Sequence, residues 1–591
     1  MRSLGFDVQS AVDAGDAAAL LAAAPAGRRV ALVDPRFVGH RHALRLALTD
    51  PRFAAATVPG ALTARPEARG ALLRALHRTT AAVGAGAPVV DPDTDPAPED
   101  RTVPGRIAVA LEAEGVAVQR PALGSLVAAV PTGPEQEAAA AARLASVDDE
   151  AVRLRGAVKA HDGFFTTFAI SPYSRYIARW CARRGLTPNQ VTTASLITAL
   201  IAAGSAATGT RGGYIAAGIL LLVSFVLDCT DGQLARYSLQ YSTMGAWLDA
   251  TFDRAKEYAY YAGLAIGAVR GGDDVWVLAL GAMVLQACRH VVDFSFNEAN
   301  HDAVANTSPT AALSDKLDSV GWTVWARRMI VLPIGERWAM IAVLTAFTTP
   351  RIVFYALLVG CALAACYTTA GRLLRSLTRR ASRTDRAAQA LADLADSGPL
   401  AQGVAALAPG LRGAFTAPAV ALLGALVMIG AALLLPYGSP LTVAAAAVYV
   451  VLSGLAVARP LKGALDWLVP PFFRAAEYVT ILVLAARSDV PHAVPAAFGL
   501  VSAVAYHHYD TVYRIRGGTG APPQWLVRTI GGHEGRTALV AVLAAVLTHA
   551  SGFTTALTAL AVAVALVVLV ESIRFWVSSS APAVHDEGEL A

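Results

Sequence analysis

The stretch DCTDGQLARYSLQYSTMGAWLDATFD, residues 228–253, follows directly on the apolar run GILLLVSFVL, and it decides how the chain is read. Four aspartates, Asp228, Asp231, Asp249 and Asp253, stand where the flanking sequence reads as membrane-embedded helix. A carboxylate at such a depth costs roughly 2.5–3.5 kcal/mol even by lenient scales unless something compensates it. Asp228 and Asp231 are three residues apart and Asp249 and Asp253 four apart, so each pair shares one helix face. Between the pairs, DGQLAR and the polar YSLQYS read as the turn joining two antiparallel helices. Four carboxylates then converge at the mouth of a helix bundle. An all-oxygen cluster of that kind suits Mg²⁺ or Mn²⁺, and two like-charged pairs are destabilising without a bound cation.

The rest of the chain fits a bundle. Of 591 residues, 55% are apolar and 16% charged, and mean hydropathy is +0.48, which favours a polytopic membrane protein with a soluble portion. The net charge of +5 gives no ground for nucleic-acid binding. Cys181, Cys229, Cys288, Cys361 and Cys366 lie mostly in apolar segments without metal-ligand spacing, so buried thiols are expected. The start, MRSLGFDVQSAVDAGD, lacks the pattern of a cleavable signal peptide.

Residues 1–160 contain no run long enough to cross a bilayer; RRVALVD and GSLVAAVP read as strands and HALRLALTDP as helix, giving a small soluble α/β domain. The stretch AGAPVVDPDTDPAPEDRTVPG reads as a loop. From residue 165 the character changes. SPYSRYIARWCARRGL is a basic aromatic amphipathic segment suited to the membrane surface, and Thr187 and Pro188 suit the cap and first position of the first span. Further spans centre near residues 220, 260, 285, 342 and 360, and a second group near 425, 448, 482, 500, 543 and 565, about twelve in all. Residues 381–412 are expected as a cytoplasmic linker, 413–580 as a second six-helix membrane domain and 581–591 as a disordered tail. Lys and Arg gather in RYIARWCARR, WARRMIVLPIGERW, RLLRSLTRRASRTDR and RIRGGTGAPPQWLVR, whereas TGTRGG, TTPR and PYGSP hold one or none. That asymmetry puts both termini, the N-terminal domain and the aspartate segment on the cytoplasmic side of the cell membrane.

The pattern Asp-x2-Asp-Gly-x2-Ala-Arg-x8-Gly-x3-Asp-x3-Asp, carried by Asp228, Asp231, Gly232, Ala235, Arg236, Gly245, Asp249 and Asp253, resembles the signature of the CDP-alcohol phosphotransferases without departure. The resemblance covers residues 165–380. It implies transfer of a substituted phosphate from a CDP-alcohol donor to an acceptor hydroxyl, with CMP as product, in phospholipid synthesis. It implies that Asp228, Asp231, Asp249 and Asp253 hold two divalent ions and that Asp253 takes the acceptor's proton. By the same resemblance Asp231, Gly232, Ala235, Arg236 and Gly245 meet the nucleotide: the glycines and Ala235 admit it closely, and Arg236 faces its phosphates. Arg289, His290 and Arg337 are candidates for an anion pocket that receives a phosphorylated acceptor. The stretch KAHDGFF…GLTPNQVT is similar to relatives that attach inositol phosphate, some of them fused to an N-terminal cytidylyltransferase. Residues 1–60 contain no Gly-rich phosphate loop, so a degenerate or unrelated domain is expected there.

The second half reads as a worn copy of the first. DRAKEYAYYAGLA aligns with FRAAEYVTILVLA, matching Arg254 with Arg474, Glu257 with Glu477 and Tyr258 with Tyr478; ACRHVVDF is echoed by AYHHYDTVY and AWLD by LDWL. Phe473 and Val469 replace Asp253 and Asp249, so this half is expected to be non-catalytic, either a stand-in for a homodimer partner or a regulator. The competing readings are a transporter built of two halves and a non-catalytic scaffold. CDP-diacylglycerol as donor and an inositol-phosphate-like or glycerol-phosphate-like acceptor lead among substrates.

Overall fold

The computed structural model describes residues 1–84, 102–159, 162–301, 330–378, 383–408, 410, 413, 415–548 and 551–578. The Pro- and Asp-rich stretch at 85–101, the basic residues at 325–329 and the tail at 581–591 lie outside the described residues.

The N-terminal domain is α/β. Strands β1 (Val30–Val33), β3 (Ala55–Val58), β4 (Ala61–Ala64) and β5 (Val118–Gln119) form a sheet of order β1-β4-β3-β5, while β2 (Val38–Gly39) pairs with β6 (Ala128–Ala129). β3 and β4 are joined by Pro59 and Gly60 with Val58 paired to Ala61; Gly60 has φ +81°, the value a Pro-Gly turn requires. Both strands are buried throughout, and they have apolar cover on two faces. Leu21, Leu72, Leu76, Ile107 and Leu111 close one face, and Ala47 and Leu48 of helix Arg41–Leu48 close the other. RRVALVD, GSLVAAVP and HALRLALTDP therefore form the elements expected of them, whereas Val103, Pro104 and Gly105 of the expected loop open helix Val103–Ala113.

The remainder is helical. Each of the twelve span centres falls in a helix, and eight described helices are long and apolar enough to cross a membrane. The four others differ for two reasons. Ile334–Phe347 and Gly532–Val546 have 14 and 15 residues, about 20 Å of helix against a hydrocarbon core of about 30 Å. Thr243–Arg270 and Ala493–Arg516 carry the charged and polar side chains described below. Helix Ser171–Arg183 precedes the first span with Tyr173, Tyr176 and Trp180 exposed, and Thr187 forms a full capping box with Gln190 ahead of Pro188. Two expectations change. DGQLAR is helix, because Arg211–Ser238 runs on until Leu239 turns left-handed at φ 52°, so only residues 239–242 make the turn. The stretch expected as a linker contains helices Asp385–Ala395 and Pro399–Leu407, with Leu391 and Leu394 buried. Of the cysteines, Cys181 and Cys361 are buried, Cys229 and Cys288 half-buried, and Cys366 exposed.

The two helical halves share one core. A continuous apolar cluster runs from Ile170 through Tyr258, Tyr261, Tyr478 and Ile481 to Val568. Trp276–Asn300 packs on Val469–Arg487 and Ala493–Arg516, and Thr243–Arg270 packs on Ala493–Arg516.

Candidate metal and active site

Two helices build the site. The first motif helix, Arg211–Ser238, is capped by Thr210 and carries Asp228 and Asp231 in its last third. The second, Thr243–Arg270, opens with Ser242 Oγ accepting from Gly245 N at 2.9 Å. A Cβ on Gly245 would lie 2.8 Å from both Asn189 Oδ1 and Ser242 Oγ, so a side chain there would displace the cap or Asn189. A Cβ on Gly232 would make only ordinary contact with the Arg236 guanidinium, 3.5 Å away. Ala235 is buried, and Arg236 donates from Nε to Ala157 O at 2.6 Å, tying the first motif helix to the N-terminal segment.

Carboxylate oxygens of Asp228, Asp249 and Asp253 lie within 4.8 Å of one another. Asp231, one turn along from Asp228, stands outside that group; it is 4% exposed and its Oδ2 has no hydrogen-bond partner. Lys256, three residues after Asp253, enters the cluster. Its ammonium touches Asp228, lies 2.8 Å from Asp253 Oδ1 and donates to Ser195 Oγ at 3.2 Å. One ammonium among four carboxylates leaves a negative balance in a place largely closed to water, and an orphaned Asp231 oxygen beside it. This donor set fits hard divalent cations. Lys256 is the member that pattern reading missed, although its spacing from Asp253 puts it on the same helix face.

Beneath the cluster Glu257 is 2% exposed on its side chain and takes two arginines: Arg254 Nη1 at 2.7 Å and Arg337 Nε at 3.3 Å. Arg337 is thus engaged in a buried ion pair. His290 contacts the Tyr509 hydroxyl across the interface between halves and stands 2.7 Å from Gln286 Nε2, so it faces the second half. Arg289 donates to Val331 O, and its Nε and Nη1 are buried with no hydrogen-bond partner among the described residues. Arg337 Nε also lacks a hydrogen bond but lies 3.3 Å from Glu257 Oε1, so of the three Arg289 has the donors to offer an anion. Glu336, also missed by pattern reading, accepts from Phe165 N at 3.3 Å, and a Cβ on Gly163 would lie 2.4 Å from its Oε2.

The second half repeats this scaffold without the carboxylates. Arg474 Nη1 meets Glu477 Oε2 at 2.9 Å, as Arg254 meets Glu257, and Arg536 Nε meets Glu477 Oε1 at 2.5 Å, as Arg337 meets Glu257. Glu534 accepts from Gly398 N and Ala401 N at 3.0 Å, as Glu336 accepts from Phe165 N. Where Asp253 would stand, Phe473 is fully buried and stacks on His533 with centroids 4.1 Å apart. Val469 is fully buried as well. Asp396 binds Arg474, Arg536 and His507 at 2.8–3.1 Å.

Comparison with known proteins divides the chain in the same way. Residues 185–366 match the family model for CDP-alcohol phosphatidyltransferase, and residues 385–591 match a family of unknown function, DUF5941. The archaetidylinositol phosphate synthase of Pyrococcus horikoshii is 32% identical over 113 residues, 19% of this chain and 58% of the relative. The phosphatidylinositol phosphate synthase of Streptomyces avermitilis is 31% identical over 131 residues, 22% of this chain and 51% of that protein. The bifunctional IPC transferase and DIPP synthase of Aquifex aeolicus is 32% identical over 123 residues, 20% of this chain and 27% of the relative. The chain therefore spans about half the length of the first two relatives and about a quarter of the third.

Proposed function

From the match of residues 185–366 to the CDP-alcohol phosphatidyltransferase family model, in a polytopic helical membrane protein, we propose that the chain transfers a substituted phosphate from a CDP-alcohol to an acceptor hydroxyl. The acceptor oxygen attacks the phosphorus that bears the alcohol, the bond from that phosphorus to the bridging oxygen breaks, and CMP leaves with the electron pair. The observation that carries this reading is the meeting of Asp228, Asp249 and Asp253 within 4.8 Å where the two motif helices join. These three, with Asp231 beside them, would hold divalent Mg²⁺ or Mn²⁺. Such ions, when bound, neutralise the diphosphate and the charge growing on CMP.

The chain's own groups do the rest. Asp253 accepts the proton of the acceptor hydroxyl, and Lys256 orients it. Asp231, Gly232, Ala235 and Arg236 on the first motif helix and Gly245 on the second would border the nucleotide. Arg289 offers Nε and Nη1 to a phosphate on the acceptor. Its unpartnered donors favour a phosphorylated polyol over a neutral one, and the names of the relatives point to inositol phosphate, with CDP-diacylglycerol as donor. The Lys and Arg asymmetry supports a cell-membrane protein with the site and both termini at the cytoplasmic face. The second half fills the place of a dimer partner and, with Phe473 and Val469 in place of aspartates, contributes no metal site of its own among the described residues.

The test is CMP release from CDP-diacylglycerol by purified protein with Mn²⁺, offered inositol phosphate, inositol, glycerol phosphate or serine in turn. Release with a phosphorylated polyol, abolished by EDTA and by Asp253→Asn, is the expected result. Absence of release with every acceptor, and with CDP-polyol donors in a second series, would overturn the enzyme reading.

A further inference from the structure

Away from the carboxylates, the N-terminal domain is bolted to the last turn of the first motif helix by arginines. Arg45 Nη2 donates to Ser238 O at 2.7 Å and Arg153 Nε to Tyr237 O at 2.9 Å, with the Arg153 guanidinium 3.5 Å over the Tyr237 ring. The Tyr237 hydroxyl in turn donates to Glu150 Oε1 at 2.8 Å. These contacts do not close the seam. They frame a cleft of about 640 Å³ lined by Arg41, His42, Arg45, Arg153, Asp149 and Glu150, with Arg153 Nη1 4.0 Å from Glu150 Oε2.

The electrostatics of this cleft are unfinished. Three arginines, two carboxylates and a histidine face one space, which leaves a positive charge over. Burial, then repulsion from Arg153, brings Arg45 down to about 10. Burial, then Arg153 and Arg45, brings His42 down to about 4, with Asp149 opposing and His40 adding to the fall. His42 is 9% exposed and its Nδ1 has no hydrogen-bond partner among the described residues. Arg41 is exposed at the mouth and donates to Ser3 O at 2.6 Å. Excess cationic character, an orphaned buried nitrogen and a volume in the range of small-molecule sites have one common remedy, an anion with several acceptor oxygens.

We propose that this cleft binds a phosphate-bearing small molecule at the seam between the N-terminal domain and the first motif helix, in a site separate from the carboxylate cluster. Arg41, Arg45 and Arg153 take the phosphate oxygens, as guanidinium groups do. Glu150 and Asp149 face hydroxyl groups on the remainder of the ligand. Because Ser238 closes the helix that carries Asp228 and Asp231, occupancy is felt on the site's own scaffold.

The test uses the full-length protein in neutral detergent with EDTA, titrated calorimetrically with inorganic pyrophosphate. Arg41→Gln is the principal variant, because its side chain is exposed and its hydrogen bond goes to Ser3 O and not to the helix end that Arg45 and Arg153 hold. Binding by the wild type, weakened at least about tenfold by Arg41→Gln and unchanged by Arg289→Gln, is the expected outcome. Displacement of pyrophosphate by phosphatidate in mixed micelles identifies a lipid headgroup as the source, and failure to displace identifies a soluble phosphate; either keeps the site. No binding by the wild type, equal binding by Arg41→Gln, or loss in Arg289→Gln alone overturns the proposal.

Discussion

Lys256 holds its ammonium 2.8 Å from Asp253 Oδ1 and against Asp228, inside the group of carboxylates that would hold metal. Two charges about 4 Å apart interact by roughly 4 kcal/mol at an effective dielectric near 20. A cation fixed there competes with any other cation that uses the same oxygens. Lys256→Met should therefore tighten Mn²⁺ binding at least about tenfold while lowering turnover, because Asp253 loses the group that orients it. Electron paramagnetic titration of Mn²⁺ reads the first effect and CMP release the second. Unaltered Mn²⁺ affinity would show that Lys256 turns away when metal enters.

Gly245 is hemmed by Asn189 and by the Ser242 cap. Gly245→Ala should displace the cap, at a cost of about 1 kcal/mol, and move Asp249 with the start of its helix. The expected result is a lower melting temperature together with weaker metal binding. Ser242→Ala should lower the melting temperature by a similar amount and leave Asn189 in place. A Gly245→Ala protein that melts and binds metal as the wild type does would contradict the close packing seen here.

In the second half, Glu477 is enclosed by Arg474 and Arg536, with Asp396 on the far side of both. Breaking a buried pair by removing one partner costs about 3–5 kcal/mol. Glu477→Gln should lower stability on that scale yet leave the apparent KM for the CDP-alcohol unchanged, because its half lacks the carboxylates. Thermal melting in detergent and steady-state kinetics separate the two. A shift in KM without loss of stability would mean that this half reaches the substrate.

His42 predicts a pH dependence in the N-terminal domain. Its folded pKa is depressed to about 4 by burial, and next by Arg153 and Arg45, whereas in the unfolded chain it sits near 6.5. Between those values the unfolded chain binds the extra proton, so stability rises with pH across that window and falls on acidification from pH 6.5 towards 4. His42→Phe should lose less melting temperature than the wild type between pH 7 and 5. Equal losses in both proteins would remove His42 as the cause.

How much was legible in sequence follows from what each feature depends on. The strand pieces RRVALVD and GSLVAAVP, the Thr187 cap and the helix at each of twelve span centres arise from short-range periodicity and capping chemistry. Such signals are local. The end of the first motif helix was misjudged because Gly232 and the polar run after it resemble a turn, while tertiary packing keeps Gln233, Leu234 and Ala235 buried and helical. Helix Pro399–Leu407 was missed because it is short and its start is held by Glu534, which accepts from Gly398 N and Ala401 N from 133 or more positions away; Asp385–Ala395 was missed although its Thr384 cap is local.

By itself, then, the sequence determined the α/β start, the helical remainder, the spacing of the aspartates and the loss of Asp253 and Asp249 equivalents at Phe473 and Val469. Periods of 3.6 and 2 residues and fixed motif spacings are local quantities. Tertiary structure alone decided which carboxylates meet, that Lys256 joins them, that Arg337 is consumed by Glu257 and His290 by the second half, and that arginines of the N-terminal domain grip the helix at Ser238. Those outcomes depend on distances between segments tens to hundreds of residues apart, set by the packing of whole helices rather than by any neighbouring residue.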